Sequence, residues 1–251
     1  MSLKRLIAYI KIDFTIVYRE KMSIFFMLAL PAFMYIFFGL MFRDMTYEGG
    51  TRNYYEQYTG SFTGLVLLNV ALLNVGPVLV IYRELGFFRR LLVTPLDLSA
   101  VWISTILRAF SVFLIGYFEV MLIGYVMFGR VPATSIDQMI LSFLICAFCL
   151  FSFGFMLGSF FRSSNTAFNA SMLIFQPMLL LSGASFPLET FPGWVQKLAV
   201  VIPMTHVVDL LGLAWEGNLY TPAAVLPVIL LAMMGSIFAV VAVGAFRRMS
   251  L

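Results

Sequence analysis

The sequence predicts an all-α integral membrane protein with six transmembrane helices. Of its 251 residues, 62% are hydrophobic and only 11% are charged, and the mean hydropathy is +0.98. Soluble domains carry about 25% charged residues. Six apolar runs are each long enough to cross a bilayer, which takes about 20 residues. Because open strand edges cannot be satisfied in hydrocarbon, each run is predicted to be a helix. The runs cover residues 22–42, 57–82, 98–128, 136–161, 166–186 and 222–246.

The six runs are predicted to form a single transmembrane domain over residues 1–251. Residues 1–21 precede the six-span bundle, residues 22–246 form it, and residues 247–251 follow it as a cytosolic tail. The first run has no small-residue cleavage site after it, so it is expected to remain as a membrane anchor.

The segment before the first span has the pattern of an amphipathic helix. Apolar residues recur at steps of three and four, and basic residues lie off that stripe. Such a helix suits the inner membrane surface, where Lys and Arg are attracted by anionic lipid. Two roles stay open, a plain surface anchor and a helix that also contacts a cytosolic partner. The stripe consists of Leu3, Ile7, Ile10, Phe14 and Val17.

The distribution of basic residues predicts the orientation of the chain. Six spans put both termini on one side of the membrane. The segments on that side hold 11 of the 16 lysines and arginines, the opposite segments hold 4, and Arg108 lies within the third span. The positive-inside rule therefore predicts cytosolic termini and a multi-pass protein of the cytoplasmic (inner or plasma) membrane.

A charged stretch, VIYRELGFFRRLLVTPLDLSA at residues 80–100, separates the second and third spans. A cytosolic helix is predicted over residues 83–93, ending before Pro95. On a helical wheel Leu85, Phe88 and Leu92 share a face that suits the membrane or the ends of the spans. The mixed character of the opposite face favours a docking helix over a plain solvated loop, and both interpretations stay open. The residues predicted to point away are Arg83, Phe87, Arg90 and Leu91, with Glu84 and Arg89 at the flanks.

Residues 182–222, between the fifth and sixth spans, contain apolar pieces that are too short to cross the membrane and are broken by prolines. Such pieces are typical of re-entrant or interfacial helices, so an extracellular re-entrant helical hairpin is predicted here. Trp194 and Trp215 suit an interfacial position.

The motif YRELGFFRRLLVTPL resembles the cytosolic coupling helix of the ABC-2 type export permeases, the membrane subunits of a class of ATP-binding-cassette exporters. The segment SGASFPLETFPGW followed by VIPMTH is similar to that family's connection between the fifth and sixth spans. The resemblance extends over the whole chain. Phe87 and Phe88 depart from it, since members more often have a small or polar residue after the glycine. The matching positions are Glu84, Leu85, Gly86, Arg89, Arg90, Leu91, Leu92, Thr94 and Pro95.

The resemblance implies a permease subunit of an exporter that works as a homodimer or as a heterodimer with a related half. The chain contains no G-x-x-x-x-G-K-[ST] phosphate loop, so it is not expected to be an enzyme or to bind a cofactor. ATP and magnesium are expected on a separate ATPase subunit. The implied ATPase-coupling residues are Arg83, Glu84, Leu85, Gly86, Phe87, Phe88, Arg89, Arg90 and Leu91, and the implied extracellular gate residues are Pro187, Phe191, Pro192 and Trp194.

Several polar residues lie within the predicted spans. Arg108 is expected to extend toward the cytosolic end of the third span. Glu119, deeper in that span, is either part of a polar path or a structural hydrogen-bond partner of a neighbouring helix. The amides of the second and fifth spans either join helices to one another or, as the resemblance implies, line a substrate path. The candidate path residues are Asn69, Asn74, Glu119, Asn169 and Gln176.

The remaining features of the sequence argue against catalysis and indicate a class of substrate. Cys146 and Cys149 lie within a span with no further ligand nearby and are interpreted as packing residues. His206 is the only histidine, which argues against metal-dependent or histidine-based catalysis. Spans rich in Met and aromatic residues suit an amphipathic or hydrophobic cargo such as a drug, a lipid, a peptide or a lipid-linked glycan. A non-transporting scaffold or assembly factor is the alternative, and a membrane-embedded lipid-modifying enzyme is a more distant one.

Overall fold

The computed structural model is helical apart from a two-residue antiparallel pair, β1 (Thr46–Tyr47) and β2 (Arg52–Asn53). It describes residues 3–19, 21–41, 46–47, 52–88, 98–129, 135–186, 188 and 191–249. The helices before the charged stretch are α1 (Leu3–Arg19), α2 (Lys21–Met41), α3 (Tyr54–Val70) and α4 (Gly76–Glu84), with a π-helical turn (Ala71–Val75) between α3 and α4. Those after it are α5 (Leu98–Phe128), α6 (Ile136–Phe160), α7 (Ser164–Leu181), α8 (Gly193–Ala199), α9 (Pro203–Trp215) and α10 (Val225–Met249).

Within the described residues, four helical segments are long and apolar enough to cross a membrane. The predicted second, third, fourth and sixth spans are confirmed by this criterion of length and composition. The first predicted span forms α2, in which Met27–Met41 counts as a shorter apolar helix by the same criterion, and the fifth forms α7. These two stay predictions as membrane spans. The four segments are Thr59–Glu84, Ala100–Met127, Ile136–Phe160 and Pro222–Phe246.

The second span lies at the centre of the bundle. In its most apolar window 78% of the residues are buried, against 22% for Pro222–Phe246, which packs mainly along α6. Its two halves, α3 and α4, contact α2, α5, α6, α7 and α9. Any displacement of the second span therefore has to move several neighbouring helices.

Glycines allow the second span to approach α6 backbone to backbone. A Cβ atom at Gly158 would lie 2.5 Å from the carbonyl oxygen of Gly76, and one at Gly154 would collide with the carbonyl oxygen of Ala71. This contact falls at the π-helical turn, directly before Pro77. Because proline has no N–H, it removes one helical hydrogen bond and favours an irregular turn. The second span therefore contains a π-helical turn just before the Gly76–Pro77 pair.

The contacts of the chain define two ends of the bundle. At one, the last residues of α4 meet the ends of α6 and α10, and we call it the Arg83 end. At the other, the Tyr220 hydroxyl donates to Asp137 Oδ2 at 2.6 Å, and the Leu219 N–H donates to Gln138 Oε1 at 3.2 Å. We call this the Tyr220 end, and α6 begins there.

Candidate functional site

Helix α4 stops at the start of the charged stretch, because Gly86 ends it. The Leu85 N–H donates to the Ile81 carbonyl and the Gly86 N–H to the Arg83 carbonyl, both at 3.0 Å. Gly86 has φ = +64°, a left-handed conformation that glycine adopts without strain. The prediction of one continuous helix from residue 83 is therefore wrong at Gly86. Phe87 and Phe88 are again helical, whereas Arg89, Arg90, Leu91 and the rest of residues 89–97 lie outside the described residues.

The charged side chains before this turn bind the ends of two other helices. Arg83 Nη1 donates to the Phe161 carbonyl oxygen at 2.7 Å, where α6 ends. The backbone N–H of Ser164, the first residue of α7, donates to Glu84 Oε1 at 2.9 Å. A cation thus lies at a helix C-terminus and an anion at a helix N-terminus, the arrangement that the helix dipoles favour. The prediction that Arg83 points away from the spans is wrong.

The two phenylalanines after Gly86 also pack inward. The Phe87 ring lies 5.1 Å from the Tyr82 ring and 6.2 Å from the Tyr9 ring of α1, between centroids. The Phe88 ring lies 5.2 Å from Phe246 of α10. The predicted inward face of Phe88 is confirmed and the outward face of Phe87 is wrong, because the turn at Gly86 rotates both residues relative to α4. Leu85, which is predicted to share the inward face with Phe88, is instead 62% exposed, because it lies in the turn that ends α4.

A buried polar cluster lies beside this segment. Asp13 of α1 accepts hydrogen bonds at Oδ1 from the Tyr82 hydroxyl (2.6 Å) and at Oδ2 from the Ser104 hydroxyl (2.8 Å). Arg108 Nε lies 3.2 Å from the same Oδ2, and Arg108 Nη1 donates to Asn74 Oδ1 at 3.0 Å. We call Asp13, Asn74, Tyr82, Ser104 and Arg108 the Asp13 cluster.

Burial makes the ion pair in this cluster unusual. The side chain of Arg108 is 0% exposed and that of Asp13 is 2% exposed. The prediction that Arg108 extends to the cytosolic surface is wrong, because its charge is neutralised within the protein. Burial, followed by the nearby Asp13 carboxylate, raises the pKa of the Tyr9 phenol well above its ordinary value, so Tyr9 stays neutral beside the pair.

Asp13 is the charged residue of this cluster that sequence reasoning missed. It is the only acidic residue of α1. It lies three residues after Ile10 and four before Val17, which places it on the apolar stripe of the helix. An acid on an apolar face, in a chain with an intramembrane arginine, is a signal for an ion pair.

The five candidate path residues differ in their surroundings. Asn74 belongs to the Asp13 cluster, and Asn69 is buried with its Oδ1 unpaired among the described residues. Glu119 is partly buried in α5, and no hydrogen bond to another described residue supports its structural interpretation. Asn169 and Gln176 are exposed on α7. Their role in a substrate path stays a prediction.

The segment between α7 and α10 forms two helices, α8 and α9, that are bent by 82°. This geometry suits a re-entrant hairpin or a broken span. Gln196 Nε2 donates to the Phe191 carbonyl oxygen at 2.9 Å, and Pro192 directly precedes α8. Trp194 is 67% exposed, as an interfacial residue would be, whereas Trp215 is buried within the bundle. Pro187 lies outside the described residues.

The remaining single residues have packing roles. Cys146 and Cys149 are buried and free, which confirms the packing interpretation. The imidazole of His206, also buried, shares a 2.8 Å hydrogen bond with the Val200 carbonyl oxygen at the break between α8 and α9.

Comparison with known proteins identifies the family of this chain. A family model described as ABC-2 type transporter matches residues 4–214, and the chain belongs to this family. In Escherichia coli K12, the "Probable multidrug ABC transporter permease YbhR" is 29% identical over 128 residues, which is 51% of this chain and 35% of that protein. The "Inner membrane transport permease YhhJ" is 29% identical over 143 residues, or 56% and 38% of the two chains. The aligned regions thus cover little more than a third of each relative.

Proposed function

We propose that the chain is the membrane-spanning permease subunit of an ABC exporter. A separate nucleotide-binding subunit supplies the energy of ATP hydrolysis, and the chain has no phosphate loop of its own. The permease is a homodimer, or pairs with a related half, in the cytoplasmic membrane with both termini in the cytosol. Family membership and the permease names of the two relatives support this proposal.

One observation about residues 83–88, which we call the coupling segment, supports the proposed coupling role. Residues 83–88 bind the end of α6, the start of α7 and a ring of α10, while Leu85 stays exposed. A force applied to this one segment therefore reaches three helices directly. Arg89, Arg90 and Leu91 extend the same segment in the sequence and complete the proposed docking surface.

The substrate is proposed to be amphipathic or hydrophobic. The exposed amides Asn169 and Gln176 lie on α7 beside exposed apolar residues such as Leu173. Polar amides on an otherwise apolar helix face favour a second permease copy or a substrate over bare lipid. The α8–α9 hairpin, with Trp194 at its exposed surface, is proposed to gate the route on the extracellular side.

The test is co-expression with the ATPase encoded beside the permease. A tagged permease is expected to retain the ATPase through purification and to support ATP hydrolysis. Leu85→Glu combined with Arg90→Glu should lower the retained ATPase at least fivefold. Leu226→Glu is the matched control, because Leu226 is 64% exposed and lies in the first turn of α10, the helix whose far end carries Phe246.

Two outcomes would contradict the proposal. One is that no ATPase co-purifies with the unaltered permease. The other is that the Leu85→Glu, Arg90→Glu variant retains as much ATPase as the Leu226→Glu control. A stable permease without any ATPase would favour the scaffold alternative.

A further inference from the structure

Asp13 joins three separate parts of the chain through one carboxylate. The group lies on α1, and it accepts hydrogen bonds from Tyr82 at the end of α4 and from Ser104 and Arg108 on α5. Hydrogen bonds to an ionised acceptor are stronger than those between neutral groups. The Asp13 carboxylate is thus the point at which α1, α4 and α5 are held together.

The same carboxylate lies next to the proposed coupling segment. Tyr82 directly precedes Arg83, and its ring packs on Phe87 beyond the turn at Gly86. Tyr9 of α1 also contacts the Phe87 ring. A displacement of the segment therefore pulls on α1 through two contacts, of which the Tyr82–Asp13 hydrogen bond is the polar one.

Stability alone does not explain why an ion pair is buried here. A buried ion pair is often no more stabilising than well-packed apolar residues of similar volume. Arg108 Nη2 is also buried without a hydrogen-bond partner among the described residues, which is unfavourable. A buried charge pair with an unsatisfied donor suits a role in fixing one specific arrangement of helices.

We propose that Asp13 is a positioning residue for transport, which holds the coupling segment to α1 and α5 so that the three move as one body. The inference rests on the proposed function. When the ATPase displaces residues 83–88, the Tyr82–Asp13 hydrogen bond carries the displacement to α1, and the Asp13–Arg108 pair carries it to α5. The amphipathic helix α1 is then a moving part of the permease as well as a surface anchor.

The chain offers a matched pair of variants. Tyr82→Phe removes the hydrogen bond between α4 and Asp13 and leaves the Asp13–Arg108 pair in place. Tyr18→Phe removes another tyrosine hydrogen bond of α1, the one at 3.0 Å to Ser111 of α5, which does not involve α4. Each change deletes a single hydroxyl, so both variants are expected to fold. Asp13→Asn is the third variant, and Asp13→Glu tests rescue by a longer carboxylate.

The experiment measures movement of α1 in the permease–ATPase complex. Spin labels are placed at Lys11 on α1 and at Ser236 on α10, two exposed positions. Labelled permease is diluted with unlabelled copies, and the distance is recorded without nucleotide and after trapping with ATP, magnesium and vanadate. The native cysteines are buried and should not react with the label. ATP hydrolysis is measured on the same samples.

In the unaltered complex and in Tyr18→Phe, trapping is expected to shift the mean distance by several ångströms. In Tyr82→Phe and Asp13→Asn the shift should fall to less than a third, while the ATPase stays bound, and Asp13→Glu should recover part of it. If Tyr82→Phe shifts as much as Tyr18→Phe, or if the unaltered complex hydrolyses ATP without a shift, the inference is wrong. If no ATPase binds to the unaltered permease, the proposed function fails instead.

Discussion

The two ends of the bundle are held together by different kinds of contact. At the Arg83 end a buried ion pair, two charged helix-end contacts and an edge-to-face pair of aromatic rings join α1, α4, α5, α6, α7 and α10. At the Tyr220 end, the loop after α9 is joined to α6 by hydrogen bonds, and the Tyr220–Asp137 bond is exposed to solvent. Exposed polar contacts are weak and exchange easily with water, whereas buried ones resist separation. The difference is consistent with a body of α1, α5 and residues 83–88 that moves together at the Arg83 end, and with an opening at the Tyr220 end.

The largest predicted effect is at the buried ion pair. Arg108→Met leaves the Asp13 carboxylate buried without its counter-ion, and breaking a buried pair in this way costs about 3–5 kcal/mol. We expect a large drop in the thermal unfolding midpoint of the detergent-solubilised permease. Arg162→Met, at an exposed arginine near the Arg83 end, is the control and should change the midpoint little. Equal shifts of the unfolding midpoint in the two variants would show that the buried ion pair contributes no more to stability than an exposed arginine.

An intermediate effect is predicted at the contact between α6 and the second span. Gly154→Ala places a methyl group against the Ala71 carbonyl oxygen, so α6 must shift away, at a cost of about 1–3 kcal/mol. Gly244→Ala, where nothing lies within 4 Å of the new Cβ, should instead stabilise its helix by about 0.5–1 kcal/mol. Thermal unfolding of both variants checks the opposite signs. A stabilised Gly154→Ala variant would contradict the close packing of these backbones.

The smallest predicted effect is at the Tyr220 end. The hydrogen bond to Asp137 raises the pKa of the Tyr220 phenol, so the folded state favours the protonated form. This contribution is present below about pH 10, the ordinary pKa of tyrosine, and is lost as the pH rises through the higher folded-state value. Tyr220→Phe should lower the unfolding midpoint slightly at pH 7 and less at pH 11. A difference that is the same at both pH values would show that the phenol proton is not involved.

The sequence predicts where the helices lie along the chain, but not which face of each helix is buried. Apolar runs of spanning length located α3 to α6 and α10. The helical wheel for residues 83–93 gives wrong faces because it assumes an uninterrupted helix. Glycine is a common residue directly after the end of a helix, and Gly86 has this role here. Phe87 is consequently assigned to the wrong side. Arg83 lies within α4 and turns inward because it binds the Phe161 carbonyl oxygen, a tertiary contact that the helical wheel does not contain.

The ion pair could be predicted only in part. An arginine within a span requires a counter-ion, but the partner of Arg108 is 95 residues away along the chain, on a helix whose basic residues suggested a surface anchor. The packing of α1 against α5 decides the pairing, and that packing depends on tertiary contacts that periodicity does not contain.

The claim that α1, α5 and residues 83–88 move as one body is tested most directly by a distance inside that body. Spin labels at Lys11 on α1 and at Ile106 on α5, both exposed, report the separation of the two helices joined by the Asp13–Arg108 pair. We expect the Lys11–Ile106 distance distribution to be narrow and the same in the nucleotide-free and vanadate-trapped complexes, in samples where the Lys11–Ser236 distance changes. A shift of the Lys11–Ile106 distance on trapping would contradict it.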